Sequence, residues 1–144
     1  VTLDPDTAHR YLGLSEDLRR VKCGTAWQNL PETPERFSYH CCVLGREGFR
    51  EGRHCWEVEV EGEVGGDSWA VGVARESVER KQRVKLNPQT GLWGVGHWEG
   101  LFKGLTNPLT PLSLLPRRIW VCLDCTRGMV TFLNADTGGE IFTF

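Results

Sequence analysis

From residue 55 to residue 61 the chain alternates, with Trp56, Val58 and Val60 at one parity and Glu57, Glu59 and Glu61 at the other. Successive side chains of an extended backbone point to opposite faces, so this run predicts a strand with one apolar and one wet face. A helix would spread the three glutamates around its circumference. The apolar face needs a second layer to cover it. The run Trp69-Ala70-Val71-Gly72-Val73-Ala74 alternates large with small residues. It predicts a strand whose large side chains meet a core and whose small positions permit close approach on the other face.

The same reading extends along the chain. Residues 11–14 and 18–23 predict a strand pair, and Leu3-Asp4-Pro5-Asp6-Thr7 predicts a turn. Residues 24–36 are polar and carry Pro31 and Pro34, which marks a surface loop. Residues 62–67 form a glycine-rich hairpin connection, and residues 84–86 read as a short edge element before an Asn87-Pro88 turn. Residues 92–98 resume an extended pattern, whereas residues 99–116, with Pro108, Pro111 and Pro116, show no periodicity. Residues 119–125 are apolar at both parities until Asp124, as in a central strand covered on both faces. Turns at residues 126–128 and 136–139 then separate strands at 129–134 and 140–144. About ten short strands without a long amphipathic helix predict an all-β, bent two-layer antiparallel sandwich. The pattern runs to Phe144 unbroken, so closing strands are expected beyond it.

Composition narrows the function. A chain of 144 residues can bury one sizeable core without staples. No apolar run approaches the roughly 20 residues of a membrane-spanning helix, and Val1 opens without a charged and apolar signal, so neither direct membrane contact nor a targeting segment is expected. A net charge of -2 gives no electrostatic reason to expect nucleic acid. The basic residues Arg75, Arg80, Lys81, Arg83 and Lys85 are interspersed with Glu76 and Glu79 and read as a solvated loop. The six cysteines include the neighbours Cys41 and Cys42, while Cys23, Cys55, Cys122 and Cys125 lie in apolar runs. That placement predicts small buried hydrophobes in a reducing, intracellular setting rather than a disulfide framework. Cys122 and Cys125 would point to opposite faces of a strand and have no second half-site, so no metal is expected.

No catalytic constellation is present. The chain lacks a nucleophile elbow, a His-Glu-x-x-His helix, a phosphate loop and a dinucleotide fingerprint. No catalytic residue and no cofactor follow from it. Trp56, Trp69, Trp93 and Trp120 lie in phase with apolar neighbours and are expected in the core. Trp98 sits at a strand end between His97 and Glu99-Gly100, where an aromatic side chain suits partner contact.

Taken together, these residues resemble the PRY-SPRY, or B30.2, domain of tripartite-motif and butyrophilin proteins. Leu3-Asp4-Pro5, Trp56-Glu57-Val58-Glu59 and Leu123-Asp124 resemble its three signatures. Pro34-Glu35-Arg36-Phe37, Val43-Leu44-Gly45, Gly52-Arg53-His54 and Trp69-Ala70-Val71-Gly72-Val73 fall between them in the family's order. The resemblance covers the whole chain and divides it into a PRY segment at 1–50 and a SPRY segment at 51–144. It departs from the family where Cys55 and Cys125 stand for the usual tyrosines. The family implies a non-enzymatic module whose loops bind another protein, often as the target-sensing end of a ubiquitin ligase or as the intracellular domain of a butyrophilin. The loops at 29–41, 62–67, 79–85 and 96–105 would form that surface, with Trp98, Arg83, His97 and Phe102 as contact residues.

Members that grip antibody Fc share Trp98 but carry Asp where Ala70 stands and Trp where Gly96 stands, which implies no Fc binding here. Butyrophilins that bind small pyrophosphates use a basic pocket. His40 and Lys85 match it, Lys103 replaces one Arg, Leu109 another, and Ala70 a His. Guanidinium forks bind phosphate bidentately, so the resemblance implies at most a partial pocket for a small anionic ligand.

Overall fold

The computed structural model describes residues 1–24 and 26–144, and among them the chain is almost entirely β. Its strands are β1 (Leu12–Leu14), β2 (Val21–Cys23), β3 (Arg53–Glu59), β4 (Trp69–Ala74), β5 (Leu92–Trp98), β6 (Leu101–Gly104), β7 (Thr110–Leu112), β8 (Arg118–Asp124), β9 (Met129–Asn134) and β10 (Glu140–Thr143). The chain divides into two compact units, one of residues 1–48 and 79–84, the other of residues 49–78 and 85–144.

The second unit is a two-layer antiparallel sandwich. One sheet has the order β10-β9-β8-β3 and the other β4-β5-β6-β7. The alternation that predicts β3 is obeyed: His54, Trp56 and Val58 are partly buried while Arg53, Cys55, Glu57 and Glu59 are exposed. Trp56 pairs with Val121 and Val58 with Ile119, so the inward residues of β3 and β8 form continuous rows. Val95 from the facing sheet joins Ile119, Val121, Val130 and Phe132 in one cluster, with Trp69, Val71, Val73 and Trp93 packed against it. Each fully buried aliphatic or aromatic side chain there contributes about 1.5–3 kcal/mol relative to exposure.

Midway along the β4–β5 pair the outward positions Ala70, Gly72, Gly94 and Gly96 are glycine or alanine, and the backbones leave no room for larger side chains there. A Cβ built on Gly96 would lie 2.2 Å from the Trp69 carbonyl oxygen and 2.9 Å from the Ala70 Cα. Trp69, Val71 and Val73 point the other way into the core.

In the first unit β1 and β2 pair antiparallel, and Leu3 bridges to Gly45. The Asp4 carboxylate accepts from the Asp6 backbone N–H at 3.0 Å, forming the turn that Asp-Pro-Asp predicts. Arg36 is buried, yet its guanidinium donates to the carbonyls of Pro31, Pro5 and Ala8 at 2.8–3.0 Å. Those bonds compensate the desolvation of its charge.

Several expectations are corrected. Trp120 is not in the core: it is 39% exposed on the outer face of β8, where its indole N–H donates to Glu57 Oε1 at 3.1 Å. β8 is therefore central by pairing, between β9 and β3, but its outer face is not covered. Cys55 is exposed and directly opposite Cys122, and their sulfurs form a disulfide, which the buried-thiol reading did not anticipate. Cys23 and Cys41 are also exposed. Residues 84–86 form no strand, whereas residues 99–116, which showed no period, contain β6 and β7. The Asn87 turn is a single 3-10 turn with a reciprocal cap between Asn87 and Thr90.

Candidate recognition surface

β5 runs into β6 through the two-residue turn Glu99-Gly100. Both turn residues have positive φ, 53° for Glu99 and 76° for Gly100, the geometry of a primed turn whose twist matches the flanking strands. Glycine adopts this region freely; glutamate does so at a cost. The turn brings Trp98 directly opposite Leu101 and His97 opposite Phe102. Because faces alternate, Trp98, Leu101 and Lys103 share the outer face of the sheet, while His97 and Phe102 face inward with Trp69.

The outer face gathers an apolar side chain, an aromatic ring and an ion pair. Leu101 is 58% exposed, an apolar side chain at a hairpin tip with no core to cover it. The Lys103 ammonium sits 5.2 Å from the Trp98 ring centroid and 3.7 Å from Glu99 Oε2. The aromatic ring, aliphatic side chain and ion pair lie within one turn of hairpin.

His97, expected as a contact residue, is only 4% exposed. Its Nδ1 lies 3.2 Å from the Asp67 carbonyl oxygen and its ring packs on Phe102 at 4.9 Å between centroids. The Trp69 indole N–H donates to the Val64 carbonyl at 2.8 Å. His97 and Trp69 thus tether the β3–β4 connection, residues 60–68, beside the β5–β6 tip. Phe102 is half-buried beneath that tip, and both side chains position the surface rather than form it. Two of the four predicted loops, 62–67 and 96–105, are brought together in this way.

The other two meet in the first unit. The Lys81 ammonium donates to the carbonyls of Thr33 at 2.6 Å and Arg36 at 2.7 Å and to the Glu32 carboxylate. Arg80 donates to the Glu35 carbonyl at 2.8 Å and lies over Phe37 at 5.6 Å. The basic run therefore has a defined structural task, stapling 79–84 to 32–38, which the solvated-loop reading missed. Lys81 and then Arg10 hold the Glu32 carboxyl down at about 2. Backbone N–H groups, Lys81's first, lower that of Glu79. Arg83 is exposed.

His40 belongs to this unit; Lys85 and Lys103 belong to the other. The Val84 N–H donates to His40 Nε2 at 3.3 Å, which requires an unprotonated Nε2. Burial, with Arg83 acting in the same direction, pushes the imidazole below its ordinary range. Lys85 is exposed, and its carbonyl accepts from Thr90 Oγ1 at 2.5 Å.

An aromatic group absent from the sequence reading also lies in the first unit. Trp27 is 57% exposed and packs edge-on against Tyr11 at 5.1 Å, with the Arg10 guanidinium 5.3 Å from its ring centroid. It sits in a polar loop, and no periodicity marks it. Among the described residues no cluster of three potential metal ligands occurs and no helix is long and apolar enough to cross a membrane.

Comparison with known proteins agrees with the architecture. The SPRY-associated domain PRY matches residues 1–49 and the SPRY domain matches residues 53–144. Human butyrophilin subfamily 1 member A1 is 46% identical over 148 residues, covering 100% of this chain and 27% of that protein. Mouse tripartite motif-containing protein 10 is 45% identical over 146 residues, covering 100% of this chain and 30% of that protein. The chain thus spans less than a third of these relatives. The TRIM65 PSpry domain superposes with a TM-score of 0.80 at 24% identity, covering 99% of this chain and 76% of that one.

Proposed function

We propose, from the premise that this chain belongs to the PRY-SPRY family, that it binds one protein target through the tip of the β5–β6 hairpin and the adjoining β3–β4 connection. The observation that carries this reading is the outer-face group of Trp98, Leu101, Lys103 and Glu99 on a turn fixed by two positive-φ residues. Tryptophan dominates binding energies where it can be desolvated against a partner, and an exposed leucine beside it supplies apolar area. A standard interface buries about 800 Å² per partner, and the 60–68 connection, tethered beside the tip by His97 and Trp69, takes part in it. Arg83, exposed in the first unit, is a separate candidate contact residue. The domain works without catalysis, inside the cell, as the target-recognition arm of a tripartite-motif ubiquitin ligase or as the intracellular domain of a butyrophilin-like protein.

Proximity labelling with wild type and with a Trp98→Ala, Leu101→Ala double variant tests this. The reading requires a set of labelled proteins lost in the variant while the circular dichroism spectrum is retained. An unchanged set rejects the hairpin as the binding surface. The second reading, a pyrophosphate sensor, rests on the family resemblance at His40, Lys85 and Lys103; burial and Arg83 lower the His40 imidazole and Glu99 pairs with Lys103, both of which weaken anion binding. Calorimetry with inorganic pyrophosphate is expected to show no heat at millimolar ligand.

A further inference from the structure

We propose that Cys55 and Cys122 form a reversible thiol–disulfide exchange site for an anionic low-molecular-weight disulfide of the glutathione class. The two residues are direct partners in the β3–β8 ladder, with Cα atoms 4.2 Å apart, the spacing of a non-hydrogen-bonded antiparallel pair, whose side chains lie closest. Seven consecutive partner pairs, from Arg53–Asp124 to Glu59–Arg118, hold this register around the cysteines. Opening the sulfur bond therefore leaves both thiols facing each other, poised to close again.

Access and charge favour a particular co-reactant. Cys55 is exposed on the outer face, and both sulfur residues line a surface depression of about 280 Å³ with Arg53, Asp124, Arg127 and Thr131. Arg53 and Arg127 both approach the Asp124 carboxylate, at 3.4 and 3.9 Å, and both stay largely exposed. Two guanidinium groups against one carboxylate leave the depression positive on that side. Toward Glu57, the carboxylate is engaged by the Trp120 indole. A disulfide carrying carboxylates is thus drawn to the arginine side, next to Cys55.

The exchange balances as written. Starting from the dithiol, the Cys55 thiolate attacks one sulfur of the external disulfide, forming a mixed disulfide and releasing one thiolate. The Cys122 thiolate then attacks the Cys55 sulfur, closing the protein disulfide and releasing the second. Two protein thiols lose two protons and two electrons, and one external disulfide becomes two thiols. An excess of external thiol runs the sequence backward. Cys41 and Cys42 compete poorly: burial, then Cys23, raises the thiol of Cys41, and burial, then Cys41, pushes that of Cys42 up to about 11.

Fully reduced protein is mixed with glutathione disulfide, quenched at intervals, and mapped by mass spectrometry. The linked Cys55–Cys122 peptide is expected to form before any modification at Cys23, Cys41, Cys42 or Cys125, and reduced glutathione in excess is expected to reopen it. Cys122→Ser should accumulate glutathione on Cys55. Arg53→Gln with Arg127→Gln should slow closure by glutathione disulfide about 10-fold while leaving closure by the neutral hydroxyethyl disulfide unchanged. Prior modification of the other cysteines, a bond that excess glutathione never opens, or equal rates in the arginine variant would each overturn the proposal.

Discussion

The β3–β8 ladder and the β5–β6 tip are both antiparallel pairs, yet they divide the labour of the domain. In the ladder, seven opposed pairs run without a bulge, and the inward residues Trp56, Val58, Ile119 and Val121 merge into the core. At the tip only four pairs form, ending at Trp98–Leu101 around a glutamate forced to positive φ. One pair is stabilised by what it buries, and the other presents what it leaves uncovered. Core residues and the proposed contact residues therefore separate by strand face and by distance from the turn, and substitutions in the two regions should separate stability from binding.

The largest effect is expected in the core beneath the ladder. Phe132 is fully buried, and Phe132→Ala should cost about 3–5 kcal/mol in chemical denaturation, through lost burial and the cavity left behind. A loss below about 1 kcal/mol would mean that Phe132 does not sit in a packed core.

At the tip the order reverses. Trp98→Ala should cost about 2 kcal/mol of affinity for the cognate partner, roughly 30-fold in Kd, with a smaller change in stability. Titration calorimetry beside a denaturation curve measures both. Equal losses would make Trp98 a structural residue and merge the two regions.

This contrast also explains what could be read from the sequence. β3 was legible because one of its faces is solvated, so Glu57 and Glu59 alternate visibly with Trp56 and Val58. The place of Trp98 at the end of β5 is legible because Glu99-Gly100 interrupts the apolar pattern beside it. β6 and β7 were not, since Leu101-Phe102-Lys103-Gly104 places an exposed leucine at the tip and Thr110-Pro111-Leu112 turns its proline to the outer face of an edge strand. Trp120 was misplaced because an apolar residue flanked by apolar residues gives no parity, and its outward direction follows only from its pairing with Glu57. Likewise the Cys55–Cys122 pair depends on a register between residues 67 apart in sequence, which no local pattern specifies. His97 stands next to Trp98 in sequence but on the opposite face of β5, because neighbours on a strand face opposite ways, and it is buried.

A smaller effect sharpens the tip itself. Glu99→Asn replaces a residue that resists positive φ with one that favours the primed turn, and should raise stability by about 0.5–1 kcal/mol. It also removes the carboxylate 3.7 Å from Lys103, freeing the ammonium over Trp98. Partner affinity should then change without loss of fold. A drop in melting temperature would show that the ion pair outweighs the backbone preference.

The mildest test concerns Glu32, which lies outside both regions and fixes the 79–84 segment through Lys81. Its carboxyl is held at about 2, against an ordinary value of 4.5, by Lys81 first and Arg10 second. A depressed carboxyl favours the folded state above the unfolded-state value and loses that contribution as pH falls through the folded one. The contribution should thus be complete above about pH 4.5 and decline between there and pH 2. The carboxylate is solvent-exposed, so salt should weaken the effect. Carbon-detected NMR titration should place the Glu32 midpoint near 2, and Lys81→Met should return it toward 4.5. A midpoint near 4.5 in wild type would remove the staple, and an unchanged midpoint in the Lys81 variant would show that Lys81 does not hold the carboxyl down.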